Sequence, residues 1–214
     1  MNISDRLKTI GEMVDNCESI CDVGTDHAYL PIYLIQKGTC SKAIASDINK
    51  GPVEKAKMNI KREGLNDSIF CRLGGGLNTI KPFEVDGVVI AGMGGNLIRD
   101  IIEENMDVFK SLKFMILQPV QNPEVLRQYV YEAGYDVIDE DLCFDENKYY
   151  EIIKIKHNNK PTKVDSIYYE ISKKLIEKKH PLVGEYIKFK INKYRSILKY
   201  IDDKTELAKK RKEE

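Results

Sequence analysis

Between residues 19 and 133, five short runs rich in β-branched residues alternate with stretches whose apolar positions recur at helical spacing, and no other feature limits the fold as much. The β runs fall at 19–23, 42–47, 68–73, 85–91 and 112–117, and the helical stretches at 29–37, 53–62, 96–103 and 123–133. Strands joined through helices run parallel, because the crossover returns the chain to the same end of the sheet. The pattern therefore predicts an α/β, doubly wound sheet. Two further runs, 135–143 and 149–156, are separated by Asp145-Glu146-Asn147-Lys148, a hairpin-like break that makes a seven-stranded sheet with an antiparallel pair at its end.

Before the first strand, Ser4 caps a short helix with Leu7, Ile10, Met13 and Val14 on its apolar face, expected to pack on the main domain. Beyond the polar stretch Asn158-Asn159-Lys160-Pro161 the β pattern stops. Val164, Ile167, Ile171 and Leu175 form one helical stripe, and Val183, Ile187, Tyr194, Leu198 and Ile201 a second, with His180-Pro181 and Gly184 between them. Two domains are expected, 1–160 and 161–214, the second a helical hairpin or coiled-coil extension with its lysines on the outer faces. The zero net charge conceals an imbalance. Residues 1–153 carry 16 Lys and Arg against 25 Asp and Glu, and residues 154–214 carry 18 against 9. An acidic body with a basic tail implies a polyanionic partner for the tail.

The N-terminal residues combine no basic start with an apolar run, and no window approaches the roughly 20 apolar residues of a membrane span, so a cytoplasmic protein with no membrane role is expected. Five cysteines without a C-x-x-C pair and three histidines make no metal cluster, and the thiols are expected to be reduced and packed.

In open α/β sheets ligands bind beyond the carboxyl ends of the strands, where the strand order reverses. The loop there is Asp22-Val23-Gly24-Thr25-Asp26-His27-Ala28. Gly24 supplies a tight turn, but a dinucleotide fingerprint requires a second glycine where Asp26 stands. A carboxylate at that point repels a pyrophosphate. S-adenosyl-L-methionine has no phosphate and carries a sulfonium, so acidic groups near it are favourable. The loop thus points away from NAD, although the glycine turn alone is also what an ordinary strand-to-helix turn requires.

Asp47 closes the second β run at the distance where an acidic residue accepts hydrogen bonds from ribose hydroxyls, the alternative being a helix cap. Arg72-Leu73-Gly74-Gly75-Gly76-Leu77 closes the third, with glycines that let backbone lie against a flat ring. After the fourth comes Ala91-Gly92-Met93-Gly94-Gly95, bare backbone where amino-modifying methyltransferases usually place a polar-Pro-Pro-aromatic loop. Free N–H groups at Gly94-Gly95 would also suit an anion, but no G-K-[ST] follows, which disfavours a Walker site.

Asp22-Val23-Gly24-Thr25-Asp26-His27-Ala28-Tyr29-Leu30-Pro31, Arg72-Leu73-Gly74, Ala91-Gly92-Met93-Gly94-Gly95 and Leu117-Gln118-Pro119 together resemble the bacterial tRNA (adenine(22)-N(1))-methyltransferase family. The resemblance spans nearly the whole chain, including His180-Pro181-Leu182-Val183, which is similar to the family's Gly-Pro-Leu turn. It implies a class I, Rossmann-like methyltransferase that uses S-adenosyl-L-methionine to methylate N1 of an adenine in the D-arm region of tRNA. Asp22, Gly24, Asp47, Ile48, Gly74, Gly75, Ala91, Gly92 and Met93 are then the residues expected to hold the cofactor. Asp26 and His27 are the catalytic candidates, Asp26 to stabilise the base cation or take a proton from N6. Tyr29, Gly94, Gln118 and Pro119 are expected at the base, Met93 is a further candidate to pack against it, and Lys173, Lys174, Lys178, Lys179, Lys188, Lys190 and Lys193 are expected at tRNA phosphates. Two positions depart from the family pattern, Gly75 where Asp or Asn is usual and Val120 where Asn is usual. No metal is expected. The extension leaves monomer and dimer both open. The cofactor motifs by themselves leave open another RNA or a protein as substrate, and Gly75 and Val120 leave open a non-catalytic RNA-binding module.

Overall fold

The computed structural model describes residues 3–200. Its seven strands are β1 (Cys17–Val23), β2 (Cys40–Asp47), β3 (Ile69–Leu73), β4 (Gly87–Gly94), β5 (Phe114–Gln121), β6 (Tyr135–Asp145) and β7 (Lys148–His157). They form one sheet in the order β3-β2-β1-β4-β5-β7-β6. β1 to β5 are parallel, and β7 runs antiparallel to both neighbours.

Alternation along the central strands feeds two cores. Val88 and Ile90 of β4 join Cys21, Val23, Met115 and Leu117 under α4 (Gly95–Glu104), α5 (Met106–Ser111) and α6 (Pro123–Glu132). Val89 faces the other way, with Ile20, Ala43, Phe114 and Ile116, under α1 (Asp5–Glu12), α2 (Tyr29–Lys37) and α3 (Lys50–Arg62). A strand buried on both faces cannot show a polar side, which is why β4 reads as a continuous apolar run. The Ser4 hydroxyl accepts from Leu7 N at 3.2 Å and caps α1 as expected.

The structure corrects several boundaries. β4 does not stop at Ala91. It runs on through a bulge at Gly92 (φ +81°), pairing Met93 with Pro119 and Gly94 with Gln121 of a correspondingly longer β5. α5 and a 3-10 turn at Gly76–Thr79 were not expected.

The tail also differs. The first expected helix is broken into α7 (Ile167–Glu170) and α8 (Lys173–Glu177), because Ile171 is extended and Ser172 starts a new helix. Its hydroxyl accepts from Leu175 N at 3.1 Å and donates to the buried Glu140 at 2.5 Å, a partner no continuous helix could keep at that position. The second helix is α9 (Val183–Tyr200), and Ile201 of the predicted stripe lies outside the described residues. Tyr186 of α9 packs with Leu142, Ile171 and Leu175, so within the described residues the tail leans on the β6–β7 hairpin rather than on a second long helix. Residues 158–165 have no regular structure but are pinned: Lys160 N donates to Gly134 O at 3.0 Å and Thr162 N to Tyr131 O at 3.1 Å.

Candidate active site

β1 continues leftward into β2 and rightward into β4, so the crevice beyond their carboxyl ends is the switch point of the sheet. Gly24 N and Thr25 N both donate to Ser46 O at 2.8 Å, which draws the first loop over the end of β2. Gly24 has φ +77°, and a Cβ on it would stand 2.3 Å from Met93 Cε. The two positions expected in one site are thus packed on each other.

His27 (φ 63°) and Ala28 (φ 56°) are consecutive left-handed residues without the freedom of glycine, a strain of roughly 1–3 kcal/mol each. Asn59 Nδ2 holds the His27 carbonyl at 3.0 Å, and Ala28 is fully buried. The His27 ring stacks on Tyr29, centroids 5.2 Å apart at 4°. Asp26 is exposed, its side chain 75% accessible and its Oδ1 3.2 Å from His27 Nε2.

Two cavities meet over this loop. The first, about 620 Å³, is lined by Gly24, Asp47, Ile48, Gly74, Gly75 and Met93 among others. Ile48 is 71% exposed, and a Cβ on Gly75 would lie 3.3 Å from its Cδ1, so an apolar side chain and glycine backbone frame a slot. Asp47 Oδ1 accepts from Asn49 N at 2.7 Å, and its Oδ2 has no hydrogen-bond partner among the described residues. Arg72, bonded to Glu84 and to Thr79 O, braces the loop after β3.

The second cavity, about 670 Å³, is lined by Arg6, Asp22, Asp26, Tyr29, Val120, Asp145 and Tyr150, and shares Gly24, Ala91 and Gly92 with the first. Burial pushes the Asp22 carboxyl up to about 6, with the Thr25 side chain and then Arg6 opposing the rise. Asp22, expected at the cofactor, therefore stands at the wall of the second cavity. Sequence patterns gave no hint of Arg6. Its Nη1 donates to Gln118 Oε1 at 2.6 Å, its backbone N donates to Asp145 Oδ2 at 3.1 Å, and its guanidinium lies 5.5 Å over the Tyr150 ring. Gln118 is fully buried and also donates to Pro119 O at 2.8 Å, so Arg6 stands between it and the cavity.

Gly95 is packed against the turn from β5 into α6, where a Cβ on it would stand 2.4 Å from Asn122 O and 3.2 Å from Gln121 O, whereas a Cβ on Gly94 would meet nothing within 4 Å. Carboxylates and a glycine slot fit an uncharged adenosine joined to a cationic sulfur.

The tail lysines are divided. Lys188 is exposed and paired with Glu185 at 2.9 Å, and Lys173 lies 3.7 Å from Glu177, while Lys174 is half-buried. Lys190 is not on the outer face. It is buried, 2.7 Å from Glu170.

Among known proteins, the chain is 37% identical over 167 residues to the tRNA (adenine(22)-N(1))-methyltransferase of Bacillus subtilis, covering 78% of this chain and 70% of that one. A crystal structure of the B. subtilis M1A22 tRNA methyltransferase superimposes with TM-score 0.88 at 32% identity, over 99% of this chain and 93% of that one. The M. capricolum homologue, solved with S-adenosyl-homocysteine, its natural cofactor product, gives TM-score 0.82 at 30% identity over 95% and 90%. The family model described as tRNA (adenine(22)-N(1))-methyltransferase matches residues 20–214, and the chain belongs to that family.

Proposed function

We propose that the chain transfers the methyl group of S-adenosyl-L-methionine to N1 of adenine 22 in tRNA. The observation that carries this reading, beside family membership, is the pair of cavities joined at Gly24, Ala91 and Gly92. The first suits the cofactor and the second a purine. When bound, the cofactor supplies an electrophilic methyl group on a cationic sulfur.

Asp47 would accept from the ribose hydroxyls, and Ile48, Gly74 and Gly75 would hold the adenine, with backbone at Gly75 in place of a side-chain contact. Adenine N1 has an in-plane lone pair, so the chain need not remove a proton first. It must bring N1 over the glycine neck and balance the positive charge the base gains. Asp26 and Asp22 face that cavity and supply the negative charge. Tyr29, stacked on His27, gives the base a flat wall.

N1 lies on the Watson-Crick edge, so a paired target is extruded before transfer. Lys173, Lys174 and Lys188 hold phosphates, with Lys190 fixing α9 from within. Residues 161–214 act as a tRNA-binding extension, and the protein works in the cytoplasm, where its substrate is. No helix of the described residues is long and apolar enough to cross a membrane.

Labelled methyl transfer to total tRNA, followed by nucleoside and position mapping, tests the reading. The label is expected in N1-methyladenosine at position 22, and label in another nucleoside, or in none, overturns it. Asp26→Asn is expected to lower kcat about 10- to 100-fold at saturating cofactor, as loss of a charge aimed at the transition state does. Unchanged turnover removes Asp26 from the chemistry.

A further inference from the structure

A third concavity, about 600 Å³, opens beside the base cavity and shares Val120 and Tyr150 with it. Its walls are the turn from β5 into α6, the β6–β7 hairpin, and the face of α9 that carries Tyr186, Phe189, Lys190 and Lys193. The floor is fixed. Tyr186 is buried and donates to Glu151 at 2.5 Å, and Lys190 is held by Glu170.

Above that floor sits an aromatic cluster only partly covered by the fold. The Tyr149 ring lies 5.1 Å from Tyr186, 5.2 Å from Phe189 and 4.7 Å from Phe144. Phe189 is 47% exposed and Phe144 46%. Lys148 and Lys193 stand exposed at the rim without an ion pair among the described residues. The acidic groups of the lining are Glu124 and Glu151, the second neutralised by Arg127.

Flat rings in a groove edged by cations suit single-stranded nucleic acid, whose bases stack without regard to sequence while the lysines meet the backbone. A second copy of the chain would cover the rings equally well, but it would not explain why the groove runs into the base cavity. An extruded adenine leaves its neighbour without a stacking partner, and that neighbour is one nucleotide away. We propose that this groove receives the unpaired nucleotide next to the target adenine, stacking its base on Phe189 and Tyr149 with its phosphate between Lys148 and Lys193. The inference rests on the tRNA reading above.

Steady-state kinetics of full-length Phe189→Ala with tRNA tests it. KM for tRNA is expected to rise about tenfold, the loss of one base–aromatic stack, with kcat and the cofactor KM unchanged. Phe189→Trp is expected to restore it. Lys193→Gln is expected to reduce the slope of log KM against log salt by about 0.7. 2-Aminopurine placed beside the target is expected to be quenched on binding the wild type and not Phe189→Ala. An unchanged KM for tRNA overturns the groove, as does a loss that Trp does not restore and that follows a lower Tm. So does a wild-type dimer that Phe189→Ala dissociates in light scattering. If the wild type itself leaves tRNA unmethylated, the underlying reading falls first; methylation with an unaffected Phe189→Ala sinks the groove alone.

Discussion

At the antiparallel edge of the sheet Arg127 lies between Glu140 and Glu151, at 2.8 and 2.5 Å, with Ser172, Tyr186 and the Tyr169 carbonyl taking up further donors and acceptors. At the crevice between β1 and β4 three carboxylates, Asp22, Asp26 and Asp47, face cavities and keep capacity unspent. Both regions are rich in charge, and burial alone would rank the edge as the site. Satisfaction separates them. The edge uses its polar groups to fasten the tail onto β6 and β7, whereas the crevice leaves them facing two cavities.

The largest effect should come from breaking the edge. Arg127→Ala strands two buried carboxylates, and a loss of about 3–5 kcal/mol in urea unfolding is expected. A loss below about 1 kcal/mol would mean that water reaches the pair and that the contrast is false.

Asp22→Asn probes the crevice in the opposite direction. Because burial raises the Asp22 carboxyl to about 6, the native state holds a proton that the unfolded chain releases near the ordinary value of 3.8. Wild-type stability is therefore fullest below that value and falls as pH rises to about 6. The Asn variant should match the wild type near pH 3.5 and exceed it at pH 7.5, by up to about 3 kcal/mol. A wild type more stable than Asn at pH 7.5 would show that Asp22 is held by a partner, like the edge carboxylates.

The smallest effect concerns Asp47. Asp47→Ala should weaken cofactor binding in calorimetry about tenfold, near 1.4 kcal/mol, with Tm of the free protein hardly changed.

The alternation of strand and helix made the sheet readable, because buried parallel strands and their crossover helices leave distinct periods in the sequence. The glycine loops were readable for a related reason: a cavity against backbone demands residues without side chains. What escaped was set by contacts far apart in the chain. Gly92 reads as loop, and only pairing with β5 makes it a bulge within a strand. The break at Ile171–Ser172 is invisible in a stripe that continues across it, since its cause is Glu140, 32 residues away. Arg6 reaches Gln118 across 112 residues, and nothing local marks it. Lys190 looked like every other lysine of the tail until Glu170 was placed beneath it.

The two joined cavities draw on different lengths of chain. Residues of the first lie between Val23 and Glu104, whereas the second needs Ile3 and Arg6 at one end and Asp145 to Tyr150 at the other. The residues lining the first are therefore synthesised well before the hairpin that completes the second, although the bulge at Gly92, which both share, forms only once β5 has followed. On the reading proposed above, the hairpin made last, by packing against α1, adds the acceptor side to the donor side.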